Sequence, residues 1–525
     1  MDNALGVDAG FGDWVTKHAL RNPDRPALVS AETGQVTTYA ELEVRTNRLA
    51  DALSSEGVVR GDRVAMLTLN SVAMMEIYVA VAKLGAISVP VNFRLSAPEV
   101  RYVLTDSGAK VLFASTSLTA LADAACAEGT AVQTRIAVPT AADRAAGAEG
   151  EYEDLLRSGK PERVTRLIDL DEVCVLMYTS GTTGAPKGAM LTHGNFQWNV
   201  FNGLGLGDGN NRRDITLSSA PLFHIGALGV HTMPYLYLGA STVIQEAFTP
   251  ESWLELAERH RITNAFLVPA MWAAVLNAPS FATRDLSSLR TAVSGGAPCP
   301  IVVIEGMRAL GVQFTEGFGM TETSPNASCL QPDEVVDHAG SIGKPLMHVE
   351  FRLVDETGED VPIGEVGELI IRGPNVMAGY WKKPEATAEA MRGGWFHTGD
   401  LGRRDEAGFY TLVDRKKDMI ITGGENVYPI EVEQVMYRHP DVGEVAVIGV
   451  PDTAWGESIV AVVARTPDGQ VSAEELLAWT RDRVAHFKSP KRVEFVEALP
   501  RTATGKVLKR DLRELYGGAA SAVNR

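Results

Sequence analysis

Residues Tyr178 to Gly188 read Y-T-S-G-T-T-G-A-P-K-G and follow directly on the apolar run Val173 to Met177. A short apolar run that ends in turn residues reads as a buried strand. The strand empties into a loop rich in accessible backbone amides at Gly181 and Gly184, with the hydroxyls of Thr179, Ser180, Thr182 and Thr183 and the cation of Lys187. Oriented donors around a single positive charge suit a polyphosphate. A Walker-type loop is excluded, because it needs Gly before its Lys and Ser or Thr after it, whereas Lys187 stands between Pro186 and Gly188. A solvated linker fits poorly with a buried strand in front, a Pro-Lys-Gly ending and no acidic residue.

Working outward, strand and helix signals alternate. Thr38-x-x-Glu41 forms a capping box ahead of a helix whose Leu42, Leu49 and Leu53 share a face. Arg63 to Leu69 reads as a strand, Val72 to Leu84 as a helix and Ala86 to Val91 as a strand. Further strands are expected at Lys110 to Ala114, Thr242 to Gln245, Asn264 to Val268 and Thr291 to Ser294. The alternation predicts an α/β fold of mainly parallel sheets covered by helices, with sites beyond the carboxyl ends of the strands. After about residue 345, short strands at Val349 to Leu353, Glu368 to Arg372 and Phe409 to Val413 suggest a small β layer. Beyond Asp414-Arg415-Lys416-Lys417-Asp418 the chain reads as a small α+β domain, with a helix from Tyr428-Pro429, a strand at Val445 to Val450 and a capped helix at Ser472-x-x-Glu475. The expected division is residues 1–414, a hinge at 415–418 and residues 419–525, with a disordered tail after Gly517.

Composition narrows the class. A chain of 525 residues needs more than one core, and 45% apolar with 22% charged residues is ordinary for a globular protein. The net charge of -17 disfavours nucleic acid and anionic lipid as partners. Cys126, Cys174, Cys299 and Cys329 are scattered without metal-ligand spacing, as expected of reduced, buried thiols. No apolar stretch reaches spanning length, since Met74 to Val91 is broken by Glu76 and Lys83. With no basic and apolar leader at Met1 to Gly12, a cytoplasmic location is expected; peripheral membrane contact stays open.

Three further stretches carry chemistry. In Glu316-Gly317-Phe318-Gly319-Met320-Thr321-Glu322-Thr323, glycines admit close backbone approach, Phe318 offers a flat face to a purine, Thr321 can donate to phosphate and Glu322 can hold a hard cation. Alone, it is equally a glycine-rich turn. In Trp395 to Asp400, the Asp400 carboxylate is a candidate for a ribose diol, with Arg415 as helper; a plain turn aspartate is the other reading. In Pro500-Arg501-Thr502-Ala503-Thr504-Gly505-Lys506 a turn presents one lysine, which by itself reads as surface charge.

Together with P-L-F-H-I-G (Pro221 to Gly226), S-G-G-A-P (Ser294 to Pro298) and D-R-K-K-D (Asp414 to Asp418), these stretches resemble, in order, the motifs of the AMP-forming adenylating enzymes. That family comprises acyl-CoA synthetases, peptide-synthetase adenylation domains and beetle luciferases. The resemblance runs from about residue 10 to about residue 515. It implies a large N-terminal domain, a small mobile C-terminal domain and two half-reactions using ATP, Mg²⁺ and coenzyme A. A carboxylate first displaces pyrophosphate from ATP; a thiol then attacks the acyl adenylate and expels AMP. By resemblance, Thr179, Ser180, Gly181, Thr182, Thr183, Gly184 and Lys187 hold the β- and γ-phosphates. Gly295, Gly296, Ala297, Phe318 and Gly319 line the nucleotide, Asp400 and Arg415 hold the ribose, Thr321 the α-phosphate and Glu322 the magnesium. His224 lies near the acyl carboxylate, although a lone His after aromatic residues is ordinarily a packed one. Lys506 bridges α-phosphate and carboxylate, a task that suits a point charge. The hinge maps to Lys417, and rotation brings Gly423 and Gly424 to the pantetheine. Trp455, Phe487, Lys488 and Lys491 are weaker candidates for the coenzyme A nucleotide.

The G-G-E-N-V-Y-P run from Gly423 to Pro429 resembles fatty-acyl and aryl ligases, and no Asp lies between Pro221 and Leu238 to hold an amino group. Ile225, Gly226, Ala227 and Leu228 are small or aliphatic, so an apolar acid is expected, a fatty acid first. The alternative is an aromatic acid such as 4-coumarate, cinnamate or ferulate. Gly226 stands where plant coumarate ligases often carry tyrosine, which removes one polar contact. Adenylation for a carrier protein is a remote third reading.

Overall fold

The Thr38 hydroxyl accepts the Glu41 N–H at 3.2 Å and the Glu41 carboxylate accepts the Thr38 N–H at 2.8 Å, so the helix Tyr39–Ser55 starts at the expected box. Its Leu42, Leu49 and Leu53 are fully buried. In the computed structural model, residues 6–179, 185–415, 418–422, 425–452, 455–501 and 507–517 are described. The hinge Lys417, the loop residues Ser180 to Gly184, Gly423, Gly424, Lys506 and the tail after Gly517 lie outside them.

Contacts divide the chain into two compact units, residues 1–351 with 371–396, and residues 352–370 with 397–525. The first is an α/β body with two large sheets. One has nine strands in the order Lys344–Pro345, Asn326–Leu330, Gln313–Gly319, Thr291–Gly295, Asn264–Leu267, Ile215–Ser218, Ser241–Ile244, Pro26–Ser30 and Val36–Thr38. From Gln313–Gly319 to Pro26–Ser30 every neighbouring pair is parallel, and only the outer pairs are antiparallel. The other has six strands in the order Thr134–Val138, Val111–Ser115, Arg63–Leu67, Ile87–Pro90, Val173–Thr179 and Lys187–Thr192, parallel except for the last pair. Parallel strands covered on both faces read as unbroken apolar runs, which is why the sequence signal was strong here.

The apolar stretch around Val72–Lys83 is core. This helix packs against the helices Gly12–Arg21 and Tyr39–Ser55, and its two charges are buried with partners. Glu76 accepts from Arg45 at 2.5 and 3.1 Å and from the Tyr152 hydroxyl at 2.7 Å. Lys83 donates to Glu43 at 2.6 Å and Asn47 at 2.7 Å. Among the described residues no helix is long and apolar enough to cross a membrane.

In the second unit, the hairpin of Val442–Asp452 and Gly456–Arg465 alternates its side chains between two cores. Val445, Val447, Ile459 and Ala461 face Val432, Met436 and Leu476, while Ala446, Ile448, Val460 and Val462 face Leu499 and Leu512. The small sheet of Glu350–Val354, Gly367–Arg372, Phe396–Arg404 and Tyr410–Arg415 falls mainly in this unit. The reason is local: Tyr410–Arg415 packs on the helix Pro429–Met436, and the Asp414 carboxylate accepts the Ile430 N–H at 3.1 Å. Cys174, Cys299 and Cys329 are buried and free as expected, whereas Cys126 is half-exposed.

Candidate active site

The strands Val173–Thr179 and Lys187–Thr192 form an antiparallel stem, with Thr179 and Lys187 facing each other in register at its end. That stem is fastened from outside. The Tyr178 hydroxyl donates to Asp106 Oδ2 at 2.7 Å, and the Tyr102 hydroxyl donates to the Pro186 carbonyl at 3.0 Å. Trp381 Nε1 and Lys382 Nζ donate to the Asp106 carbonyl at 3.2 and 2.8 Å. Burial and Asp106 together hold the Tyr178 phenol well above its usual range, so it stays a donor.

Glu316 to Thr323 runs from a central strand into a short helical turn. The strand Gln313–Gly319 lies between Thr291–Gly295 and Asn326–Leu330, with Gly295 beside Gly317. Gly319 admits no side chain, since a Cβ there would stand 1.8 Å from the Pro325 carbonyl oxygen. Phe318 is half-buried and packs edge-on to Phe351 with centroids 6.3 Å apart, which leaves ring surface accessible. The short 3-10 helix Thr321–Thr323 then presents Thr321 half-exposed and Glu322 buried. Gly296 and Ala297 are exposed just past the strand Thr291–Gly295, at its carboxyl end, as predicted.

The acyl-pocket candidates gather in the same unit. His224 precedes the short helix Ile225–Ala227, with its ring 4.3 Å from that of Phe223. Phe223 meets Phe93 edge-on at 5.2 Å. Phe266, half-buried on a central strand, approaches Gly226 and Gly295: Cβ atoms there would meet its ring at 3.1 and 3.5 Å. Sequence reading passed over Phe266, because only tertiary packing brings it beside those two glycines.

Glu316 was also missed as a titrating group. Its carboxylate accepts the Cys299 N–H at 2.9 Å, and burial pushes its pKa up to about 7. Tyr380 was missed as well: its hydroxyl donates to Glu322 Oε1 at 3.0 Å, and Lys187 Nζ lies 5.1 Å over its ring. A Gly-Tyr-Trp tripeptide carries no local sign of such partners.

In the second unit, Asp400 is buried and pairs in register with Arg415 across adjacent strands. Its N–H is capped by the Thr398 hydroxyl at 3.0 Å, which fixes the turn. Trp455 is exposed with Lys491 Nζ 5.9 Å over its ring, while Lys488 is engaged by Glu431 at 2.7 Å. Arg501 and Val507 form an antiparallel bridge. Just beyond, Lys509 pairs with Glu433 at 2.8 Å, and Arg513 with Asp418 at 2.6 Å. Burial works against the Lys509 charge, and Glu433 and Asp414 outweigh it, so its pKa is raised. Lys509→Met leaves the largely buried Glu433 carboxylate with the Val447 N–H but without its cation, a loss of about 3 kcal/mol. The expected result is faster amide exchange along Val442–Asp452 in the full chain, with Thr291–Gly295 unchanged as the internal control.

A fastened antiparallel stem ending at Lys187, the buried Glu322 carboxylate joined to it through Tyr380, and mainly parallel sheets are consistent with a nucleotide-dependent activating enzyme. The family model described as AMP-binding enzyme matches residues 15–381, and the AMP-binding enzyme C-terminal domain matches residues 431–506. The chain therefore belongs to the AMP-binding enzyme family, and it is an AMP-forming acid–thiol ligase. It is 45% identical to a feruloyl-CoA synthase of Amycolatopsis sp., over 97% of this chain and 99% of that one. It is 36% identical to a long-chain-fatty-acid–CoA ligase of Mycobacterium tuberculosis, over 96% and 98%. Among solved structures, the O-succinylbenzoate coenzyme A synthetase of Bacillus subtilis in complex with ATP and magnesium superposes with a TM-score of 0.84 at 32% identity, over 95% of this chain and 99% of that one.

Proposed function

We propose that this chain joins an aromatic, cinnamate-like acid to coenzyme A, using ATP and Mg²⁺. The observation that carries this reading is Phe266, whose ring closes to side-chain contact distance of both Gly226 and Gly295. A flat aromatic wall between two positions without side chains suits a planar ring better than a bent alkyl chain. The identity with feruloyl-CoA synthase supports it and favours the aromatic acid over the fatty acid that the aliphatic run Ile225 to Leu228 first suggested. Kinship with the long-chain ligase keeps a fatty acid as the second reading.

The residues present fit the two groups that the family implies. Glu322 is a buried carboxylate with one oxygen held by a neutral hydroxyl, an oxygen ligand suited to Mg²⁺. When bound, Mg²⁺ neutralises phosphate charge. Thr179, Ser180, Thr182, Thr183 and Lys187 hold the β- and γ-phosphates, with Gly181 and Gly184 supplying amides. Thr321 donates to the α-phosphate, and Gly295, Gly296, Ala297, Phe318 and Gly319 line the nucleotide. Asp400 and Arg415 hold the ribose. His224 orients the acid. The carboxylate oxygen forms a bond to the α-phosphorus while the bond to pyrophosphate breaks, and Lys506 offsets the negative charge gathered there. In the second step the thiol sulfur bonds to the carbonyl carbon, the C–O bond to AMP breaks and the thiol proton is lost. Gly423 and Gly424 leave room for the pantetheine, Trp455 contacts the coenzyme A nucleotide, and Lys417 is the hinge. Residues 1–414 are proposed to carry ATP and acid, and residues 419–525 the catalytic lysine.

The test is a panel of ferulate, 4-coumarate, cinnamate, octanoate, palmitate and malonate with ATP and coenzyme A, read by mass spectrometry of the acyl-CoA. An aromatic acid is expected to exceed octanoate by about tenfold in kcat/KM, the value of one good aromatic contact. Preference for palmitate or malonate overturns the reading.

A further inference from the structure

Residues Met377 to Trp381 belong to no strand, yet they are pinned on both sides. On one side, the Ala378 N–H donates to the Met190 carbonyl at 2.9 Å, Met190 returns a bond to the Gly379 carbonyl at 2.8 Å, and the Trp381 N–H donates to the Gly188 carbonyl at 2.8 Å. Ala189 and Tyr380 complete this pairing as an antiparallel bridge. The partner strand, Lys187–Thr192, leads directly out of the phosphate loop. On the other side, the Met377 N–H donates to the Glu322 carbonyl at 2.8 Å. The segment is therefore a strap between the loop's exit strand and the helical turn that carries the acidic residue.

Tyr380 makes the same link through its side chain. Its hydroxyl donates to Glu322 Oε1 at 3.0 Å, and its ring lies under Lys187 Nζ at 5.1 Å. The geometry is suited to holding two opposite charges apart at fixed spacing. The neutral donor occupies one carboxylate oxygen without cancelling its charge, and the ring face attracts the ammonium without offering it an anion. The backbone is held too, since the Tyr380 N–H donates to the Thr387 hydroxyl at 2.9 Å.

We propose that Tyr380 is a positioning residue for the magnesium–nucleotide complex, setting the carboxylate of Glu322 with its hydroxyl and the ammonium of Lys187 with its ring. This rests on the roles proposed above for Glu322 and Lys187. Its partners include Glu322, Lys187 and Thr387, so the effect sought is on nucleotide and metal binding.

The experiment is calorimetric titration of the full chain with ATP, with and without Mg²⁺, for wild type, Tyr380→Phe, Tyr380→Leu and Glu322→Gln, with circular dichroism to confirm folding. Tyr380→Phe keeps the ring and loses the hydroxyl. It is expected to bind ATP alone within about twofold of wild type and to lose about 10- to 100-fold of the gain that Mg²⁺ confers, the value of one hydrogen bond to a charged group. Tyr380→Leu also loses the ring, and its binding of ATP alone is expected to fall about threefold or more. Wild-type Mg²⁺ dependence in Tyr380→Phe, with Glu322→Gln impaired, overturns the positioning role and leaves the roles of Glu322 and Lys187 standing. If Glu322→Gln also binds Mg²⁺ and ATP as wild type does, the metal assignment falls and the positioning role with it.

Discussion

Lys506→Ala is expected to slow acyl-adenylate formation by about 100- to 1000-fold while leaving thioester formation from a supplied adenylate within about tenfold of wild type. The magnitude is that of removing one preorganised charge or donor from a site of developing negative charge, about 2.7 to 4 kcal/mol. The asymmetry follows from the chemistry. In the first half-reaction an anionic carboxylate meets an anionic phosphate, and a cation between them lowers the barrier directly. In the second, a thiol attacks an activated carbonyl and AMP leaves with its charge already in place. Pyrophosphate exchange reads the first step, and acyl-CoA release from synthetic adenylate reads the second. Equal loss in both would remove Lys506 from its proposed role. The same pair of assays on Lys187→Ala should show a smaller first-step defect, because that lysine shares the leaving group with several hydroxyl donors.

Glu76→Ala is expected to destabilise the N-terminal unit by about 4 kcal/mol, with no specific effect on either half-reaction in the folded fraction. Glu76 is fully buried at the centre of a network: Arg45 reaches it at 2.5 Å, Tyr152 donates to it at 2.7 Å, and Arg45 also pairs with Glu153 at 2.7 Å. Removing one partner of a buried pair costs about 3 to 5 kcal/mol, because the other charge is left behind. Glu153 still faces Arg45, which places the electrostatic part near the lower end. The orphaned Tyr152 hydroxyl adds about 1 kcal/mol or more. A urea titration of the full chain, followed by the transition that reports the N-terminal unit, measures the sum. A loss below about 1 kcal/mol would mean that water or a side-chain shift satisfies the network. Glu76→Gln should recover part of the loss, since it keeps the acceptor for Tyr152.

The α/β architecture was legible because its signals are local. The apolar run at Val173, the Thr38 box and the glycine-rich turns at Gly317 and Gly319 each carry their meaning within a few residues, and the strands of the two large sheets that were expected formed within one or two residues of expectation. The nucleotide motifs were legible for the same reason. Phe266, Tyr380 and Asp106 were not. The partners that give them a place in the site lie 29 to 276 residues away in the chain, and an aromatic ring or an aspartate in isolation has many ordinary uses.

The preference proposed for the acyl site shows the same divide. Ile225 to Leu228 read as aliphatic and pointed to a fatty acid, because a linear run displays its own side chains and not what packs opposite. The ring that faces Gly226 comes from a different strand.

The Tyr178 to Gly188 loop marks both sides of this boundary. Its composition alone pointed to a polyphosphate, since oriented amides, hydroxyls and one lysine have few other joint uses. Only the tertiary structure decided what holds that grip in place: Asp106 fastens its stem, and the strap through Tyr380 joins its lysine to Glu322. Sequence specifies the groups that bind because their chemistry is intrinsic. It leaves open the spacing between them, which is set by backbone hydrogen bonds between distant segments that no local pattern encodes.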